Sequence, residues 1–226
     1  MKNLFIPLSL SFLLISCSPT DNPVTEENTA PQTEENVEKN NTKQTTNETS
    51  KKYSNSPQAV NDQTVVEVGQ TYEDANGIIT LKAIHHTPET HEVGPIELTI
   101  KDVKVFNYLP SNDLIDYFHG FTHDEENFNY VKARVEVKNT SDQPVKFSPL
   151  GLLETNEGEK VSGDQDFYLE NLIGEYASAE VREGNLGLVI EETSVENIEW
   201  LKIITSDVLN TENNAIHKAK ELKIEF

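Results

Sequence analysis

A chain of 226 residues with 39 Asp and Glu against 18 Lys and Arg carries a formal charge of −21. That balance disfavours nucleic acid, where affinity rests on cationic contacts to phosphate, and disfavours lying directly on anionic lipid. It suits a self-repelling domain held off a surface, and a single cysteine excludes an intramolecular disulfide, so the core must stabilise itself.

The chain opens with Lys2 as a short positive region, then an apolar run from Leu4 to Ile15 that is too short to span a bilayer comfortably. Small Ser16 precedes Cys17. The segment Leu14-Ile15-Ser16-Cys17 resembles a bacterial lipobox. The resemblance implies diacylglyceryl transfer to the Cys17 sulfur, cleavage before Cys17, and often a third acyl chain on the new amino group, with palmitate among the chains. The competing reading is an ordinary secretory signal with an incidental cysteine. Acylation explains why an exported chain carries one thiol. Each buried methylene adds about 0.8 kcal/mol, and stable anchoring takes two or more chains. Residues 1–16 are thus expected to be a signal peptide. The expected location is the extracytoplasmic face of the bacterial cell membrane, reached through lipid on Cys17. The leader holds Lys2 and no acid, so its removal takes the charge to about −22.

Residues 17–59 change composition sharply: Thr, Asn, Glu, Gln, Lys and Pro dominate, and Val24 and Val37 are almost the only large apolar side chains before Tyr53. Such a stretch cannot bury enough surface to offset its chain entropy, which predicts a disordered linker. About 40 residues of flexible coil span roughly 35 Å. A helical stalk is the alternative, but no apolar stripe supports one and Pro19, Pro23, Pro31 and Pro57 oppose it.

The folded part is expected over residues 60–226. Val65, Val66 and Val68 form a β-prone run ended by Gly69. Tyr72 to Gly77 reads as a turn-rich approach in which Asn76-Gly77 is a hairpin signal. Ile78 to Ile84 alternates as a strand, and Pro88 breaks the pattern after it. Ile96, Leu98 and Ile100 alternate with Glu97, Thr99 and Lys101. Val103 and Val105 continue one step out of phase, which predicts a bulge or bend at Lys101-Asp102.

Pro110 to Asn127 reads as an insertion. Ser111 or Asn112 would cap a short helix, with Leu114, Ile115 and Phe118 inward and Gly120 as its stop. Tyr130 to Phe147 reads as a hairpin: Tyr130 to Lys138 alternates apolar and charged residues, Asn139 to Pro144 turns, and Val145 to Phe147 returns, one face buried and the other wet. Further strands are expected at Tyr176–Val181, Leu186–Ile190, Ile198–Ile204 and Ala219–Phe226. Many short strands at short spacing predict an all-β fold, an antiparallel β-sandwich with a short helical or loop insertion.

In their order, Gly77–Ala83, Tyr130–Val145, Arg182–Ile190 and Trp200–Ile203 resemble the immunoglobulin-like exodomains of unknown function on Gram-positive lipoproteins, similar to the secreted immunoprotective-antigen sandwich. The resemblance covers roughly residues 64 to 226. It implies an immunoglobulin-like fold and a surface location, and supplies no catalytic residues. The glycines at 184 and 187 stand closer together than in that family.

His119 and His123, four apart with Asp116 and Asp124 beside them, have the spacing of a metal pair on a helix, but Gly120 interrupts that helix and an exposed polar loop is the plainer account. His85 and His86 point to opposite faces of a strand and cannot both ligate together with His91. Asp124-Glu125-Glu126 and Asp164-Gln165-Asp166 are oxygen-rich, yet neither has the spacing and glycine of a Ca²⁺ loop, so solvated acidic loops are expected. Motifs for a nucleophile elbow, Ser-x-x-Lys, His-Glu-x-x-His and a phosphate loop do not occur. Trp200 is expected in the core. The resulting expectation is a monomeric, non-catalytic binding module for a protein or cell-wall partner, with no cofactor and no metal, and Cys17 as its lipid-attachment residue. The rivals are an extracellular hydrolase with an unrecognised site and a Ca²⁺-dependent adhesion or sensor module.

Overall fold

A computed structural model describes residues 56–226. Cys17, the leader and residues 17–55 of the expected linker lie outside the described residues. Within them the fold is all-β with antiparallel sheets, as the alternation predicts.

The first sheet contains β1 (Thr71–Asp74), β2 (Gly77–His85), β3 (Glu89–Val93), β4 (Ile96–Pro110), β5 (Phe128–Asn139) and β10 (Val181–Ile190). Its order is β1-β2-β4-β5-β10, and β3 lies beside β4 next to the end of β2. Two four-stranded sheets face it. One has β14 (Glu221–Glu225), β11 (Trp200–Ile204), β7 (Leu152–Thr155) and β8 (Lys160–Ser162). The other has β13 (Ala215–His217), β12 (Val208–Leu209), β6 (Val145–Phe147) and β9 (Gly174–Tyr176). Leu98, Ile100, Val131, Val135 and Leu188 from the large sheet share one core with Phe147, Tyr176, Leu201, Ile203 and Ile224 from the small ones. This is the sandwich interior.

The bulge falls where the phase slip placed it. The β4–β5 register shifts between Ile100 and Asp102, leaving Lys101 unmatched. The shift keeps Val103 and Val105 on the core face that Ile96, Leu98 and Ile100 occupy. It also sets Asp102, Lys104, Phe106 and Tyr108 on the opposite face, because successive side chains alternate. The Asn76-Gly77 signal also marks a real hairpin: β1 pairs β2 with Asp74 opposite Gly77. Gly77 has φ +134°, and a Cβ there would stand 2.3 Å from the Leu109 carbonyl oxygen.

Several expectations fail for tertiary reasons. Tyr130–Phe147 is not a hairpin. β5 pairs β4 and β10, whereas β6 crosses to the other layer and pairs β9 and β12. Asn139, fully buried, shapes the crossing: its side-chain amide donates to the carbonyls of Gln143, Tyr176 and Ala177. Val65–Val68 is no strand. Val65 is buried while Val66 and Val68 are exposed, and the Gln70 side chain holds the loop by accepting from the Val66 and Glu67 amides. β3 follows Pro88 directly. The helix α1 is only Ile115–Phe118, preceded by Leu114 without a side-chain cap, and of the expected inward residues only Phe118 is fully buried. β10 is one continuous strand through Gly184 and Gly187. Gly187 is required because Tyr168 and Phe167 lie on it; a Cβ would meet their rings at 2.5 and 2.8 Å.

Ser56, Gln58 and Ala59, which composition assigned to the linker, are buried. Residues 56–65 form a strap over the outer face of the large sheet. There Ala59, Val60 and Val65 join Phe106, Tyr108, Phe118, Phe128, Tyr130, Phe167 and Tyr168 in a second apolar cluster. The Gln58 amide nitrogen donates to the carbonyls of Phe167 at 2.7 Å and Tyr168 at 2.8 Å. Gln58→Ala leaves both buried carbonyls without that donor. It is expected to cost about 1–3 kcal/mol, read by urea unfolding of the full chain; an unchanged midpoint would show the strap to be dispensable.

The free edge of β10 is closed by carboxylates rather than by a strand. Glu170 accepts from the Asn185 amide at 2.8 Å, Asp166 from Gly187 at 2.7 Å, and Glu159 from Glu191 at 2.7 Å. Inward-pointing charge of this kind blocks edge-to-edge pairing with another chain.

Candidate functional site

The insertion between β4 and β5 folds over the end of β10 and leaves an open cleft of about 600 Å³. Its rim carries His119 and His123, and its walls carry Glu125, Glu159, Lys160, Glu191 and Glu192. The two histidines do not converge. His119 Nδ1 lies 2.6 Å from Glu125 Oε1, and His123 Nδ1 lies 3.0 Å from Glu191 Oε2. Asp116 and Asp124 stay exposed. Among the described residues no group of three His, Cys, Asp or Glu side chains has metal-holding geometry.

Glu191 ties the insertion to the sheet. It accepts from the Thr122 hydroxyl at 2.8 Å and the His123 amide at 2.7 Å. Burial pushes its carboxyl up, but the His123 amide, the His123 ring and the Thr122 hydroxyl outweigh burial and hold it below the usual glutamate value. Glu125 is also lowered, by its own backbone amide and then by the His119 ring. A carboxyl lowered on folding adds stability above its unfolded value and loses it as pH falls through the folded one. The insertion is therefore expected to stay clamped at neutral pH and to loosen below about pH 4.3. Amide NMR of Thr122 and His123 from pH 6 to pH 3 checks this; shifts complete above pH 5 would contradict it.

The other sequence candidates separate. His85 and His91 meet at Glu89, whose oxygens lie 3.5 Å from His85 Nε2 and 3.4 Å from His91 Nε2. His86 turns away to a second, smaller cavity beside Lys101, Asp102 and Arg134. Asp166, read from sequence as part of a solvated loop, is buried and accepts from the amides of Tyr168, Leu169 and Gly187. Its neighbour Asp164 is exposed. Trp200 is not a core residue. It is only partly buried on the outer face of its sheet, with Lys202 and Lys223 nitrogens 5.5 and 5.4 Å from the ring centroid, while Leu201 and Ile203 face the core.

A charge cluster under the strap escaped the sequence reading. Lys132 was expected on the wet face of its strand, yet its exposure is 1%. Lys104 and Asp62 are buried with it, at 5% and 1%. Asp62 Oδ1 contacts Lys132 Nζ, and Lys104 Nζ donates to Asp62 Oδ2 and to the Asp62 carbonyl, both at 2.9 Å. Lys132 sits opposite Lys104 in the β4–β5 register, with Arg134 opposite Asp102 one step along the same face. The Lys132 nitrogen lies 5.8 Å from the Tyr168 ring centroid. Burial lowers the Lys132 amine from its usual value against the pull of Asp62, and burial raises Asp102 against the pull of Lys132 and Lys104. A signal was present: Val103-Lys104-Val105-Phe106 has apolar residues on both faces, which marks a strand covered on both sides.

No protein-family model matches the chain. The uncharacterized protein YdhF of Bacillus subtilis strain 168 is 33% identical over 239 aligned positions, covering 100% of both chains. An SPbeta prophage-derived uncharacterized lipoprotein of that strain, YonS, is 25% identical over 160 positions, covering 70% of this chain and 71% of its own. A solved structure of a functionally unknown protein from Listeria monocytogenes EGD-e has a TM-score of 0.48 at 12% identity, covering 66% of this chain and 88% of that one. A lipoprotein among the relatives fits the lipoprotein part of the sequence expectation; the immunoprotective-antigen part is not carried by them. The chain belongs to the family of YdhF.

Proposed function

We propose that the protein is a lipid-anchored surface lipoprotein, acylated on Cys17, whose immunoglobulin-like sandwich works by binding. The cleft under the insertion receives a cationic segment of a protein or cell-wall partner. The observation that carries this is the cleft's charge: Glu125, Glu159, Glu191 and Glu192 against Lys160. Glu125 and Glu191 are held low, which keeps them ionised and able to attract a cation. The anchor is supported by Leu14-Ile15-Ser16-Cys17 and by the lipoprotein relative.

The test is crosslinking in cells followed by capture, comparing the native chain with Glu192→Lys and with Cys17→Ala. Glu192→Lys is expected to cut the adduct several-fold, and added salt should do the same. An adduct indifferent to both would overturn the cleft. Cys17→Ala is expected to abolish lipid labelling and move the protein from the membrane fraction to the medium. Unchanged detergent partitioning in that variant would sink the anchor.

A further inference from the structure

We propose that Leu169 is a rigid docking knob, and that the partner of the cleft is a protein segment carrying large apolar side chains among its cations. This rests on the reading of the cleft as a binding site. It narrows the partner from protein or cell wall to protein.

Two independent observations meet at Leu169. The first is exposure. Leu169 is 67% exposed, and Ile173, which lines the same small cavity, is 43% exposed. The second is backbone strain. Leu169 has φ +55°, in the left-handed region, where a side chain crowds the following carbonyl oxygen. The other non-glycine residues found there among the described residues are Asn171, Ala179 and Asn213. Asparagine is a type that region tolerates, and alanine has little to crowd. A leucine held in this conformation and turned to water does nothing for the core. Strain of this kind persists only where the surroundings enforce it, and it gathers at ligand clamps and active sites.

The surroundings do enforce it. Asp166 accepts from the amides of Tyr168 and Leu169 at 3.1 and 3.2 Å. Gln58 holds the Tyr168 carbonyl at 2.8 Å. On the other side, Glu170 accepts from the Asn185 amide and from the Ser56 hydroxyl. Along residues 166–170, Asp166, Phe167 and Tyr168 are buried, Glu170 is half-buried, and Leu169 is exposed. The leucine is therefore presented by a fixed frame, and its ordering does not have to be met when a partner arrives.

The position adjoins the cleft. Leu169 and Ile173 line a cavity of about 200 Å³ together with buried Leu172 and exposed Asp164. Gly163 and Asp164 face this cavity, and Gln165 faces the large cleft, so the single 3-10 turn Gly163–Gln165 separates the two. Asp164 continues the acidic lining made by Glu159, Glu191 and Glu192. A segment that lays its cations along these carboxylates can set an apolar side chain against Leu169 and Ile173. Aliphatic surface of this kind suits an apolar side chain of a protein, and a charged, hydrated wall polymer has none to offer. Lipid is disfavoured by the net charge of −21.

The test uses the full chain secreted with Cys17→Ala, so that no acyl chain takes part. Fluorescence anisotropy compares two labelled peptides, one of alternating lysine and leucine, the other of alternating lysine and serine. The leucine peptide is expected to bind about tenfold more tightly. Leu169→Asn, which keeps a residue suited to the left-handed conformation, should erase that preference while the melting temperature holds or rises by about 2–4 °C. Glu192→Lys should weaken both peptides alike. If Glu192→Lys changes neither, the reading of the cleft falls and this inference with it. Equal affinity of the native chain for the two peptides, or a preference that survives Leu169→Asn, overturns the inference alone. So does a melting temperature lowered by about 5 °C or more in Leu169→Asn, since the fold would then need that side chain. Binding to neutral phosphatidylcholine vesicles that is lost in Leu169→Asn would make lipid the occupant and likewise overturn it.

Discussion

Asp62→Ala is expected to cost about 3–5 kcal/mol, because it leaves two buried lysines without their shared counter-charge. Lys104 and Lys132 sit 5% and 1% exposed, on adjacent strands and directly opposite each other. The Asp62 carboxylate is in hydrogen-bond contact with both. Against a typical total of 5–15 kcal/mol, the loss endangers the native state, and the strap should detach first. Urea unfolding at pH 7 measures it. The origin of the cost is checked by the triple change Asp62→Leu, Lys104→Met and Lys132→Met. Removing all three charges together should recover much of the stability, since an apolar replacement of a buried ionic group is often neutral. If the triple variant is as unstable as Asp62→Ala, the cluster matters for its specific bonds rather than for uncompensated charge.

Deleting residues 222–226 is the second large effect. β14 closes its sheet by pairing with β11 from Trp200–Glu225 to Ile204–Glu221. Leu222 and Ile224 are fully buried in the sandwich core, and Phe226 packs against it only in part. At about 1.5–3 kcal/mol for each fully buried side chain, the deletion should remove about 3–6 kcal/mol. It also exposes the edge of β11. For a domain of this size the melting temperature should fall by about 10–20 °C, and aggregation should rise with it, since an unpaired edge templates pairing with other chains. A truncated chain that melts at the native temperature would place β14 outside the core.

The parts of the fold that were legible in the sequence are those set by neighbours along the chain. Alternation of period two depends only on local geometry, so β2 and β14 were legible as strands. The Lys101-Asp102 slip was read as a bulge because a one-residue phase change has no other local meaning in a strand. The insertion at Pro110–Asn127 was visible as a break in pattern. The misreadings share one cause. Whether Val145–Phe147 returns beside β5 or crosses to the other layer depends on what Asn139 bonds to 37 residues away, and no local pattern records that. Lys132 looked wet because its alternation is that of a sheet with one solvated face. The strap that covers it lies 70 residues earlier in the chain.

The same division holds for the candidate sites. Residue types and spacing by themselves determined that the chain is acidic, built of strands, and without a second cysteine; these follow from composition and period and need no partner in space. Only the tertiary structure decided the rest. It parted His119 from His123 by giving each its own carboxylate, moved Asp166 from a supposed solvent loop to the β10 edge, and turned Trp200 outward between two lysines. It also gathered Asp62, Lys104 and Lys132 from three separate segments into one dry cluster. The physical reason is that a charge's environment is set by whatever covers it, and the strap that covers Lys104 and Lys132 comes from a part of the chain remote in sequence.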